Sequence, residues 1–201
     1  MKLYYAPRSR STRPRWLLEE LGVPYELHRL DMSKGEHKAP SYLEIHPHGA
    51  VPALEDGNLK MIESAAICLY LADQFPEKGM APALTSADRG RYYQWIIYSM
   101  VTLEPAVYAI YQHKMGLPPE KRSAAALEEA AKKFEVCCKV LKKALAGKDY
   151  LAGNSFTTAD LMVASILGWS KALGVLEGHP DLSAYTKRCT DRPAYKKATA
   201  D

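Results

Sequence analysis

Between residues 76 and 87 the hydrophobic rhythm of this chain changes, and that change limits its fold more than any other feature. Before it, two periods alternate. Leu3-Tyr4-Tyr5 reads as a short strand, and Trp16 to Leu21 is helical up to Gly22, a residue that readily takes the left-handed conformation ending a helix. Pro24 cannot extend that helix, and Tyr25 to Leu30 then alternates apolar and polar as a second strand. Val51 to Glu55 and Leu59 to Ile62 flank Asp56-Gly57-Asn58, a hairpin signal. From Ser64 onward, Ala65, Ile67, Cys68, Leu71 and Ala72 form the apolar stripe of a helix that stops near Phe75-Pro76. Past residue 86 no strand pattern follows. Leu127, Ala131, Phe134, Cys138, Leu141 and Leu145 mark one face of a long helix, and Thr157 to Leu173 is a more apolar, central one. Leu182 to Cys189 and Pro193 to Ala200 read as short closing helices. The expected layout is an α/β domain over 1–78, a linker over 79–85 rich in small residues, and an all-α domain over 86–201.

Charge excludes little except the extremes. Lys and Arg number 27 against 23 Asp and Glu, a net +4 that lacks the lopsidedness of a chromatin or RNA protein. The stretch RSRSTRPR, residues 8–15, raises nucleic acid locally, because arginines neutralise phosphates. It equally suits an anion or thiolate site, where a strand passes into a helix whose first N–H groups are unpaired. The expectation is no nucleic-acid partner. The four cysteines show no metal spacing, and His37, His46 and His48 have no second ligand cluster, so no metal is expected. No apolar run of membrane-spanning length and no leader-like segment is visible, which sets the expectation of a cytoplasmic protein without a membrane partner.

Three local patterns carry chemistry or folding. Pro52 at the head of a strand belongs at an edge or in a special turn, and a cis Val51-Pro52 bond would turn the Val51 backbone toward an extended peptide ligand. Glu63-Ser64 opens a helix, with Ser64 read as the N-cap and a carboxylate beside it. Ordinary capping explains that pair equally well. Thr157 and Asp160 have the spacing of a capping box, a folding role rather than a catalytic one.

Taken in order, strand–RSRS–helix, then Gly49-Ala50-Val51-Pro52-Ala53-Leu54, then Glu63-Ser64-Ala65-Ala66-Ile67-Cys68, resemble the thioredoxin-like domain of cytosolic glutathione transferases. Gly153 followed by Thr157 to Asp160, and the closing Arg192-Pro193-Ala194-Tyr195, resemble that family's helical domain. The resemblance spans essentially the whole chain and points to a bacterial enzyme of serine type, or a beta-like one without its cysteine.

The resemblance implies a thioredoxin-like α/β domain plus an all-α domain, glutathione as co-substrate, a homodimer, and thiolate attack on hydrophobic electrophiles. Glutathione-dependent isomerisation, peroxide reduction and a non-catalytic interaction module are the alternatives. Val51, ahead of Pro52, implies pairing with the cysteinyl backbone, and Glu63 with Ser64 implies a grip on the γ-glutamyl end. Ala50 stands where relatives often carry a hydrogen-bonding residue, so Lys34, His37 or His48 is expected to meet the glycine carboxylate. The thiolate donor is expected among Ser9, Ser11 and Arg10, with Tyr5 assigned to the sheet; Arg10 stands where beta-type enzymes carry cysteine. Ser11 or Thr12 is also the expected cap of the first helix. For the acceptor wall the expectation is Tyr108, Tyr111 and Trp169, near Tyr98, Glu104 and His113; core packing is the competing role for these aromatics.

Overall fold

A computed structural model describes residues 1–200, and the chain divides into two compact units. One runs from Met1 to Ala81 and includes the segment from Asp191 onward; the other is Pro82–Thr190.

In the first unit, β1 (Lys2–Tyr5) leads through α1 (Thr12–Leu21) to β2 (Glu26–Arg29), which pairs parallel to β1. Two short 3₁₀ turns and α2 (Pro40–Leu43) follow, then the hairpin β3 (Ala53–Asp56) and β4 (Leu59–Ile62), and then α3 (Ser64–Gln74). The sheet order is β2-β1-β3-β4, with β3 antiparallel to both β1 and β4. Because side chains alternate along a strand, β1 feeds two cores. Leu3 and Tyr5 are sealed on one face with Leu54, and Trp16, Leu17, Leu21, Ile67 and Leu71 are equally buried on α1 and α3. Tyr4 lies on the other face in a smaller cluster with Leu30, Tyr42 and Ala53. Each fully buried Leu or Ile contributes roughly 1.5–3 kcal/mol relative to exposure. Tyr5 is 1% exposed and belongs to the sheet, as its alternation implies.

Gly22 ends α1 in the left-handed region at φ 65°, donating its N–H to the Leu18 carbonyl at 3.0 Å. The start of α1 differs from the sequence reading. Ser11 is at the cap position but makes no side-chain cap bond, and its hydroxyl turns back toward Ala6. At α3 the cap residue is Glu63, at φ 72° and ψ 111°, so Ser64 is the first helical residue and not the cap.

The segment from Asp191 onward, expected in the helical domain, packs on α1 instead. Helix α9 (Pro193–Ala198) sets Tyr195 edge-on to Trp16 with ring centroids 4.7 Å apart. Arg192 grips Glu20 through two bonds of 2.7 Å, and Lys197 pairs with Glu19 at 2.6 Å. A forked guanidinium–carboxylate pair is among the stronger surface contacts, and it fastens the end of the chain to the helix that follows β1.

In the helical unit, α4 (Ala87–Tyr98) and α5 (Glu104–Tyr111) form one rod broken by a π-helical turn across Ser99–Leu103. Pro105 has no N–H to return to the preceding turn, which is the physical reason for a widened turn there. A second π-helical turn, Gln112–Gly116, closes α5, and α6 (Ala124–Ala144) packs beside it. Helix α7 (Thr158–Ala172) is buried on nearly every side, with Leu161, Met162, Val163, Ala164, Ile166 and Leu167 all sealed, and α8 (Pro180–Thr190) lies against it.

Thr157 and Asp160 form the expected capping box, and the carboxylate does more than cap. Asp160 is fully buried and accepts from the N–H groups of Leu151 and Thr157 at 2.9 and 3.0 Å. It also accepts from the Thr157 hydroxyl at 3.0 Å and the Tyr185 hydroxyl at 2.9 Å. It therefore ties the loop before α7 to α8, a role that spacing alone does not reveal. Asp160→Asn turns donors toward the surrounding N–H and O–H groups, and we expect a loss of about 3 kcal/mol or more in urea-unfolding free energy. A loss under about 0.5 kcal/mol would contradict this role.

Candidate functional site

The first unit collects polar groups where β1 passes into α1. Beyond Tyr5 the chain leaves the sheet at Ala6, whose backbone is buried and needs partners. Serine hydroxyls supply them. Ser11 Oγ accepts the Ala6 N–H at 3.1 Å and lies 3.0 Å from the Ala6 carbonyl; Ser9 Oγ lies 2.7 Å from that carbonyl. The two hydroxyls are 2.6 Å apart, and the Ser11 N–H donates to Ser9 Oγ at 3.2 Å. Arg8 just before them is exposed at φ 55°, a left-handed conformation uncommon outside glycine and asparagine. Of the three expected donors, Ser11 is 0% exposed, Arg10 is exposed and Ser9 is half-buried. Only Ser9 combines a hydroxyl with access.

A buried arginine joins this loop to the start of α3. Arg13, in the first turn of α1, is 5% exposed and donates from Nη1 to Ser64 Oγ at 3.3 Å. A hydroxyl that accepts from a guanidinium keeps its own proton for another acceptor. Glu63 beside it is exposed and held at positive φ, a conformation that costs energy and occurs mostly where surrounding structure enforces it. Arg13 thus has a structural contact, and Arg15 lies 4.6 Å over the Tyr5 ring.

The Val51-Pro52 peptide bond is cis, and Val51 packs beside Tyr4, Tyr42 and Ala53 ahead of the first ladder pair, Ala53↔Tyr4. The loop before it is pinned from one side. The Tyr42 hydroxyl donates to the Ala50 carbonyl at 2.6 Å, and Lys38 Nζ donates to the His48 carbonyl at 2.9 Å. Gly49 has φ 56°, and a Cβ there would lie 2.5 Å from the His37 carbonyl and 2.9 Å from Lys38 Nζ. Lys38 is therefore the cation at this loop, and the sequence reading passed over it. Lys34, named instead, is paired with Asp31 at 3.3 Å on an exposed turn. The one signal available was Gly49, whose conformation requires a close neighbour that only the fold identifies. His37 is half-buried with an unpaired Nδ1, while His48 is exposed.

In the helical unit Tyr108, Tyr111 and Trp169 do assemble. Their ring centroids lie 6.2, 6.4 and 5.6 Å apart, tilted in the offset way that aromatic quadrupoles favour. Gly116 closes against Tyr111, leaving no room for a Cβ there. Tyr98 and His113 line a separate groove of about 670 Å³ against α6, with Val101, Val136 and Val140 along it, and Glu104 is buried. Among the described residues no group of His, Cys, Asp and Glu has the makings of a metal site, and no helix is long and apolar enough to cross a membrane. All four cysteines are buried, and burial pushes the Cys68 thiol up to about 12, so none offers an accessible thiolate.

Comparison with known proteins agrees with this geometry. Residues 1–73 match the N-terminal domain of glutathione S-transferases and residues 95–193 match the C-terminal domain. Glutathione S-transferase F9 of Arabidopsis thaliana is 31% identical over 195 residues, covering 91% of this chain and 88% of the relative. Glutathione S-transferase GstA of Escherichia coli O157:H7 is 29% identical, covering 98% of this chain and 96% of its own. A solved sphingomonad glutathione S-transferase complexed with glutathione superposes with a TM-score of 0.85 at 32% identity, covering 100% of this chain and 98% of that one.

One titration is set by the site's own geometry. Burial pushes His46 below its ordinary value, the electrostatic interaction with the neighbouring His48 adds to this, and Glu63 opposes it. The fold thus disfavours the charged form of His46, whose Nδ1 is buried and unpaired. A depressed folded value means stability present above about pH 6.5 and lost as pH falls through the folded value. We expect the thermal midpoint to drop between about pH 7 and 5.5, and the drop to be shallower in His46→Gln. An identical slope in the variant would remove His46 from this role. The polar site at the head of α1, the cis-proline loop and the two matched domains lead to one conclusion: this chain belongs to the glutathione S-transferase family.

Proposed function

We propose that the protein binds glutathione in its first unit, ionises the thiol beside Ser9, and transfers the thiolate to a hydrophobic electrophile. The observation that carries this is the state of Ser9: an accessible hydroxyl at the head of α1, among the expected donors of which Ser11 is sealed. A free thiol titrates near about 8.5, and a hydroxyl donor plus the positive end of a helix favour its charged form. The thiol proton leaves to solvent, the sulfur forms a bond to the electrophilic carbon, and the leaving group departs with the electron pair of the bond that breaks.

The remaining assignments rest on the same reading. Val51 pairs with the cysteinyl backbone, and Glu63 and Ser64 take the ammonium and carboxylate of the γ-glutamyl end, Ser64 donating because Arg13 occupies it as acceptor. Lys38 supplies the positive charge for the glycine carboxylate, supported by its place at the Gly49 loop, with His37 and His48 nearby in sequence and Lys34 engaged with Asp31. Tyr108, Tyr111 and Trp169 form an apolar wall suited to a flat electrophile. Chemistry through an enzyme cysteine is disfavoured by burial of all four thiols. The relatives with full-length similarity are named transferases, which favours conjugation over isomerase or peroxidase chemistry or a non-catalytic module. A cytoplasmic location accords with this reading.

Ser9→Ala is expected to lower kcat/KM for an aryl-halide acceptor by about tenfold to a hundredfold near neutral pH, with glutathione affinity changed only a few-fold. Near-normal rates in Ser9→Ala would sink the assignment.

A second copy of the chain is proposed to dock on the groove between α4–α5 and α6. Val101, Val136 and Val140 are 66%, 60% and 41% exposed there, an apolar row a lone subunit would leave in water. Val101→Glu with Val136→Glu is expected to convert a dimer to a monomer by sedimentation velocity; an unchanged mass would place the interface elsewhere.

A further inference from the structure

The proposed role of Ser9 leaves Ser11 unexplained: a fully buried hydroxyl that neither caps its helix nor can reach a ligand. We infer that Ser11 is a positioning residue, a proton switch that releases the Ser9 hydroxyl to the glutathione sulfur by taking over the Ala6 carbonyl. This rests on the glutathione reading above and deepens it.

The argument is one of counting protons. Ser9 and Ser11 carry one hydroxyl proton each. Around them lie two N–H donors, that of Ala6 on Ser11 Oγ and that of Ser11 on Ser9 Oγ, and one shared acceptor, the Ala6 carbonyl. In the first arrangement Ser11 donates to Ser9 across 2.6 Å and Ser9 donates to the carbonyl across 2.7 Å, closing a ring in which every group is satisfied. In the second, Ser11 rotates its proton to the same carbonyl across 3.0 Å, and the Ser9 proton is free to point elsewhere. Ser9 Oγ also accepts the Ser11 N–H at 3.2 Å. With no proton left between them, the two oxygens cannot stay at 2.6 Å, so releasing the Ser9 proton goes with a small rotation of the Ser9 side chain away from Ser11 and toward the sulfur.

Without the second arrangement, turning Ser9 toward sulfur would strand the carbonyl of a residue that is only 2% exposed. Leaving a buried acceptor unpaired is costly, and that cost would be subtracted from thiolate stabilisation. The Ser11 hydroxyl removes it. No bond between heavy atoms forms or breaks in the switch; two hydroxyl protons rotate, and the thiolate accepts a hydrogen bond where the carbonyl was the acceptor before.

The test follows the ultraviolet absorbance of the bound glutathione thiolate against pH, together with kcat/KM for an aryl halide, in wild type, Ser9→Ala, Ser11→Ala and the double variant. In Ser11→Ala the thiol is expected to titrate higher by up to about one unit, with kcat/KM below about pH 7 reduced up to tenfold and the rate recovering at higher pH. Adding Ser11→Ala to Ser9→Ala is expected to cost less than about twofold more, since the switch has nothing left to release. An unshifted titration in Ser11→Ala, or the same loss in both backgrounds, overturns the inference. If Ser11→Ala does not fold by circular dichroism, Ser11→Cys, similar in volume and a weaker donor, is read against the same two criteria. Absence of a thiolate signal in the wild type would instead refute the glutathione reading, and an unshifted Ser9→Ala would refute Ser9 as the donor.

Discussion

The backbone of Ala6 is the constraint around which the first unit is organised. β1 runs through the middle of the sheet with a partner on either side, so its interior N–H and C=O groups pair with strands. At Ala6 the chain turns away while still buried, and a buried peptide group without a partner is rarely tolerated. The sequence answers with Ser9 and Ser11, whose hydroxyls close on both the N–H and the carbonyl of Ala6. That solution shapes the loop, leaves Arg8 at positive φ, and brings hydroxyls to the positive end of α1. A requirement of folding thereby produces a polar site.

The rest of the first unit fixes that loop in place. Arg13 reaches from the first turn of α1 to Ser64 at the first turn of α3, so the beginnings of two helices are held together by a buried guanidinium. At the other end of α1, Arg192 and Lys197 hold Glu20 and Glu19, and Tyr195 packs on Trp16. A helix anchored at both ends keeps its N-terminal N–H groups oriented, and preorganised donors are more useful to a developing anion than mobile ones. In the helical unit the buried Asp160 has the comparable role, with four donors fixing the entrance to α7.

Much of this was legible from residues alone. The strand alternation at Leu3-Tyr4-Tyr5, the stop at Gly22 and the Asp56-Gly57 hairpin each follow from local backbone preference, and the structure has all three. So do the long amphipathic helix ending near Leu145 and the capping box at Thr157–Asp160. Less legible was anything depending on what a side chain finds across space. Ser64 reads as a cap because serine before a helix usually is one, yet Glu63 takes that place at positive φ. Lys38 stands ten residues from the His48 carbonyl it meets, and no period connects them. Tyr185 is twenty-five residues from the Asp160 carboxylate it bonds.

The sequence by itself determined the two architectures, the kinds of element in each and the motifs that mark the family, because these rest on side-chain period, glycine and proline conformation and short-range hydrogen bonding. Tertiary structure decided which hydroxyl is accessible and which is sealed, which arginine is buried, which lysine reaches the cis-proline loop, and that the chain's last helix packs on its first. The physical reason is the same in each case. Accessibility and hydrogen-bond partnership are settled by groups remote in sequence. Ser9 and Ser11 are two residues apart and chemically identical, and only their burial against Ala6 tells them apart.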